Sequence, residues 1–243
     1  MSSAPDLTSR VLGHQRLIVV VGVASLAALA WLFVLDGAGM AEPMTMAMAP
    51  PFAALFLMWS VMMVAMMLPA ATPAILLYAR VRQMRGGDGS VAQTWLFVAG
   101  YGAVWLLFSL AAAGLQQLAT NAPMVLDHPA AEAGLLVAAG LYQLSPIKSA
   151  CIRQCRAPAQ FISAHWRPGT AGAVRLGMLH GAHCVGCCWL LMALLFVGGV
   201  MNLLWIVALT ALVTVEKLAP HGRWIGRFAG VALIAWGAAL LLP

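Results

Sequence analysis

Charge is scarce in this chain. Only 8% of its 243 residues are Asp, Glu, Lys or Arg, while 63% are hydrophobic; soluble domains carry about a quarter charged residues. A water-soluble fold of this length could not hide so much apolar surface, so lipid is the expected solvent for most of it. Acid is scarcer still, with 7 acidic residues against 13 basic ones and a net charge of +6. In a soluble protein that excess would suggest phosphate contacts along nucleic acid. Here the basic residues gather at the ends of apolar runs, and no nucleic-acid partner is expected. Cysteine is sparse and odd in number, five residues, with none in the segments expected outside. That argues against a secreted disulfide framework and for reduced thiols or metal ligands. The C-x-x-C-H string of haem attachment is absent.

What the chain does have is long apolar runs. About 20 such residues span the hydrocarbon core of a bilayer as a helix, and seven runs qualify, at 17–35, 52–79, 91–118, 133–147, 176–199, 201–218 and 224–242. The expected fold is therefore all-α, a polytopic bundle of about seven transmembrane helices forming one integral membrane domain over 1–243. The first run has about 19 residues, longer than the 7–15 of a signal peptide's apolar region, so a retained helix is expected. Lys and Arg stay on the cytoplasmic side of short loops. With the amino terminus inside, all 13 basic residues fall in inner segments and the carboxyl terminus lies outside. Segment 148–175 is then the one sizeable cytoplasmic loop. Near the start of the last run, Gly222, Gly226 and Gly230 recur at spacing four, which lets a neighbouring backbone come close.

The sharpest constellation lies inside the fifth run: His180, His183, Cys184, Cys187 and Cys188. Offsets of 0, 3, 4, 7 and 8 share one helical stripe, and at 1.5 Å per residue Cys188 stands about 20 Å beyond Arg175. A lone buried Cys behaves as a small hydrophobe, but five donors on one stripe are costly in lipid and mark function. Gly177 and Gly181 border the stripe and leave room for another helix. Cys151 and Cys155 form a second pair, four apart at the inner end of the fourth run. Nearby Lys148, Arg153 and Arg156 favour the thiolate, the form that binds metal.

Methionine supplies the third feature. Met58, Met62 and Met66 share a face of the second run, with Met63 and Met67 beside them, and Met44, Met46 and Met48 precede it. One methionine is a flexible core filler; a ladder of thioethers is also a set of soft ligands that select Cu(I). The ladder enters from outside and the His/Cys stripe from inside, so the two are expected to meet at mid-membrane. Pro69 and Pro73 follow the ladder and are expected to kink the helix. Glu216 and Lys217 read as an interfacial anchor, with Glu216 a proton carrier if it faces the bundle, and Asn202 as a cap on the tight turn near Gly198 and Gly199.

Three strings resemble a bacterial family of predicted metal-binding integral membrane proteins, some of them regarded as membrane copper chaperones. They are Trp59-Ser-Val-Met62-Met63-Val-Ala-Met66-Met67-Leu-Pro69, Pro146-Ile-Lys148-Ser-Ala-Cys151-Ile-Arg-Gln-Cys155 and Cys184-Val-Gly-Cys187-Cys188-Trp189. Gly199-Val-Met201-Asn202 and Glu216-Lys217 also fit, so the similarity runs from Trp59 to Lys217. It implies a multi-pass protein of a bacterial inner membrane that handles metal for a copper enzyme or with a soluble copper chaperone. Together the residues predict a Cu(I)-binding protein rather than an enzyme, working in delivery or transport. Its metal donors are His180, His183, Cys184, Cys187, Cys188, Cys151, Cys155, Met58, Met62 and Met66. Zinc is the alternative metal, since His180, Cys184, Cys188 and one further donor would complete a tetrahedral set. A membrane thiol–disulfide oxidoreductase and a structural subunit of a larger complex are the alternative functions.

Overall fold

A computed structural model describes residues 7–36, 50–85, 90–118 and 129–242. The methionines at 44, 46 and 48 lie outside them. Every regular element among the described residues is a helix. In chain order these are α1 (Leu7–Leu35), α2 (Phe52–Met84), α3 (Ser90–Leu118), α4 (Pro129–Leu144), α5 (Pro146–Arg156), α6 (Pro158–His165), α7 (Gly169–Ala193), α8 (Leu195–Gly198), α9 (Leu203–Leu218) and α10 (Gly222–Ala239). The expected all-α class holds.

Four helical stretches are long and apolar enough to cross a membrane: Arg16–Leu35, Phe52–Met84, Val91–Leu118 and Gly169–Gly198. A fifth candidate is the pair α4 and α5, bent by 62° at their junction. The sixth and seventh expected runs form α9, with 16 residues, and α10, with 18 residues that include Arg223 and Arg227; neither meets the same measure of length and apolarity. The outward faces of the helices are apolar. Leu29, Leu107, Leu204 and Phe228 are all more than half exposed, a cost in water that acyl chains would remove.

The segment expected as a cytoplasmic loop, 148–175, is mostly helical: it holds most of α5, all of α6 and about the first two turns of α7. The cause is local chemistry. Pro146 has no N–H and pushes the residue before it out of helical space. Ser145 accordingly takes φ −70° and ψ 150°, and its hydroxyl accepts from the Lys148 amide to cap a new helix. The fourth expected run thus ends at Leu144, and the chain turns sharply into α5. α2 is one helix from Phe52 to Met84, with Pro69 and Pro73 in its interior. Gly199 turns the chain between α8 and α9 with φ 90°, and Asn202 caps α9 by accepting from the Trp205 amide, as the sequence predicts.

α1, α2, α3 and α7 pack side by side, α9 lies against α2, and α5 closes over α7. α4 and α10 form a second close pair. Small residues allow both tight crossings. A Cβ on Gly181 would stand 3.0 Å from Val104 Cβ and one on Gly177 3.0 Å from the Tyr101 nitrogen, so α3 is the helix that fills the space beside the donor stripe. Gly222, Gly226 and Gly230 are likewise buried; a Cβ on Gly230 would stand 2.8 Å from Gln143 Cβ on α4, and one on Gly226 2.9 Å from Glu216 Oε1 on α9.

Candidate metal centre

The donor stripe of α7 faces inward. His180, Cys184, Cys187 and Cys188 are all buried. Cys187 and Cys188 lie one turn beyond Cys184, and their thiols donate to its carbonyl at 3.1 and 3.0 Å. His183 stands at the edge of the stripe: it is half-buried, its Nδ1 lies 2.7 Å from the Leu179 carbonyl, and its ring meets Phe161 edge-on.

Three other helices bring partners to the stripe. From α2, Met67 places its Sδ 3.9 Å from Cys188 Sγ. From α3, the Tyr101 hydroxyl donates to the Met67 carbonyl at 3.2 Å and lies 3.1 Å from Cys184 Sγ. From α9, Lys217 donates from Nζ to Cys184 Sγ at 2.9 Å. α5 closes the fourth side, where Cys155 is partly buried and packs against the same core. One turn earlier Cys151 packs on the α7 backbone, where a Cβ on Gly186 would stand 2.9 Å from its sulfur. All five cysteines are free thiols.

The methionine face is buried as well. Met58, Met62 and Met66 are at most 2% exposed and line the same core, yet the thioether that meets a cysteine is Met67, one position round the helix from Met66. His180 sits in a box of aromatic rings, with centroids of Phe161, Tyr101 and Phe97 at 5.4, 5.8 and 6.0 Å. Its buried Nδ1 has no hydrogen-bond partner. Leaving a buried polar atom unpaired costs about 1–3 kcal/mol, so the atom is free for a ligand at a price in stability.

Glu216 and Lys217 are 2% and 7% exposed, so they are not the interfacial anchor expected from sequence. Successive positions on a helix point about 100° apart, and the two side chains part accordingly. Lys217 turns to Cys184. Glu216 turns the other way, to Lys148 Nζ at 2.5 Å and to the Gln143 amide at 2.5 Å; Lys148 also donates to Gln143 Oε1. Lys217, Tyr101, Met67 and Gln143 are absent from the expected donor list. Lys217 carried a usable signal, because a cation near the end of an apolar run is a functional candidate by default.

Thiolate, not thiol, is what binds metal, and Lys217 supplies the matching charge beside Cys184. Thiolate with thioether is the soft pairing that selects Cu(I). Among the described residues no three His, Cys, Asp or Glu side chains stand together as a metal site, so the tetrahedral Cys/His set that zinc prefers is not assembled.

Fold and site together define a helical protein with membrane-length apolar helices and a buried, sulfur-rich centre. Residues 56–240 match the model of the PpoB2 copper chaperone family, and the chain belongs to that family. The match runs from α2 to α10 and includes every expected donor. Membership points to copper handling. No curated protein matches the chain at a significant level, and neither does any solved structure.

Proposed function

We propose that this protein is a membrane-embedded Cu(I) carrier, not an enzyme, which holds the ion on sulfur between α2 and α7 and passes it to a copper-dependent client. The observation that carries the reading is the meeting of Cys188 Sγ and Met67 Sδ at 3.9 Å, two soft donors from helices far apart in sequence, inside a family of copper chaperones. Cys184 and Cys188 are the principal thiolate donors, and Cys155 and Cys187 complete the sulfur wall around them. Met58, Met62 and Met66 form the thioether approach, Cys151 continues the wall on α5, and His180 and His183 are the imidazole candidates. Cu(I) is satisfied by a few soft ligands, which suits a site where the ion must also leave.

In this reading the chain sits in a bacterial inner membrane with seven crossings and its amino terminus in the cytoplasm. The confinement of all 13 basic residues to one set of segments supports that orientation. The methionine ladder then faces the outer half and Cys155 the inner, so the ion meets thioether on one side and thiolate on the other.

The test is metal analysis of the detergent-purified protein, loaded with Cu(I) under reducing conditions. The wild type should retain copper, and the C184S/C187S/C188S variant should lose nearly all of it. Met67→Leu should lower retention more than Met62→Leu paired with Met66→Leu. Full copper content in the triple variant would remove the sulfur centre from consideration.

His180 gives a second check, because its two possible roles move stability in opposite directions. His180→Leu removes an unpaired buried nitrogen, so thermal unfolding should be unchanged or shifted upward. Copper retention should fall if the imidazole serves the ion. A destabilised variant with wild-type copper content would make His180 a packing residue.

A further inference from the structure

A cavity of about 140 Å³ lies away from the sulfur centre, between α5, α9 and the start of α10. Its floor is polar and buried: Gln143, Lys148 and Glu216 are 5%, 3% and 2% exposed. The floor is also settled, since Lys148 and Glu216 neutralise each other at 2.5 Å and the Gln143 amide donates to Glu216 and to the Gly226 carbonyl.

The rim is not settled. Arg153, Arg223 and Arg227 line the mouth; all three are exposed, and none forms an ion pair among the described residues. Three guanidinium groups of like sign therefore line one cavity with no carboxylate among the described residues paired to them. α10 begins at Gly222 in the same wall, and the positive end of its dipole adds to the field.

Size and shape narrow the occupant. A water takes about 30 Å³, so the cavity holds roughly four or five such volumes, enough for a tetrahedral oxyanion. Guanidinium forks match phosphate oxygens in pairs. Beside the rim, Trp224 and Phe228 stand 58% and 72% exposed on α10, and Arg227 lies over the Trp224 ring at 5.1 Å. An exposed Trp beside arginine is the pattern of the headgroup layer, and basic pockets at that level take lipid phosphates.

We propose that this cavity binds a phosphate group, presented by an anionic phospholipid headgroup. The proposal borrows from the preceding reading only the membrane placement and makes no use of copper. Full-length protein in a neutral detergent is titrated with short-chain phosphatidylglycerol, with short-chain phosphatidylcholine and with inorganic phosphate, at constant ionic strength. Thermal unfolding is followed by tryptophan fluorescence. Phosphatidylglycerol should raise the midpoint saturably, and half-saturation should weaken roughly 30-fold in R223Q/R227Q. Arg80→Gln, an exposed site on α2, should leave it unchanged. The same response to inorganic phosphate, lost in the same double variant, would assign the site to free phosphate. A response that is absent, unaltered in R223Q/R227Q, or equally large with phosphatidylcholine overturns the proposal. Copper content, measured on the same samples, should not change in R223Q/R227Q, so failure here and failure of the sulfur centre are told apart.

Discussion

Lys148→Met should lower the unfolding free energy by about 3–5 kcal/mol, the usual result of removing one partner from a buried ion pair. Glu216 is 2% exposed and relies on Lys148 and Gln143. Without the ammonium, its carboxylate keeps one amide donor and loses its only ion-pair partner among the described residues in a buried setting. The structural origin of the pair is the break at Ser145, which turns α5 so that Lys148 points into the bundle. Denaturant or thermal unfolding in detergent measures the loss. The double variant K148M/E216Q should recover most of it, because an empty pair costs far less than a broken one. Copper retention should persist in the folded fraction, since Glu216 and Lys217 point about 100° apart on α9 and reach different partners. A loss below about 1 kcal/mol, the range of exposed pairs, would mean that solvent reaches the pair.

The second large effect is expected at the α4–α10 crossing. A Cβ on Gly140 would stand 2.6 Å from the Gly230 carbonyl and 2.6 Å from Ile234 Cγ1. Backbone cannot yield as a flexible side chain can, so Gly140→Leu must push the two helices apart. Overpacking costs about 1–3 kcal/mol even where side chains can give way, and the upper end is expected here. Separation would also loosen Gln143, three residues along α4, and with it the Glu216 network. Gly134→Leu provides the control on the same helix: a Cβ there meets nothing within 4 Å, so its cost should be near zero. Equal unfolding midpoints for the two variants would show that α4 and α10 do not depend on this contact.

Much of the site is legible along the chain because a helix converts spacing into direction. Cys184, Cys187 and Cys188 lie on one inward face, as offsets of three and four require, and the glycine strips at 177/181 and 222/226/230 mark close crossings. Met58, Met62 and Met66 share a buried face of α2, as their spacing of four requires. The errors arise where one residue's local chemistry overrides a smooth apolar pattern. Pro146 ends a run that hydropathy alone carries to Ile147, and the polar stretch after it is helical because Ser145 and Pro146 start a new helix. Lys217 looks like an anchor by its position at the end of a run, yet a partner sulfur lies within its reach.

Sequence alone determined the helical class, the apolar surfaces and the shared inward face of Cys184, Cys187 and Cys188, because each follows from composition or from the 3.6-residue period. Tertiary structure decided that Met67 rather than Met66 meets Cys188, that Lys217 serves Cys184 while Glu216 serves Lys148, and that Tyr101 joins them. Those pairings depend on how each helix is rotated about its axis and where it crosses its neighbours. No periodicity within one segment encodes a distance to another.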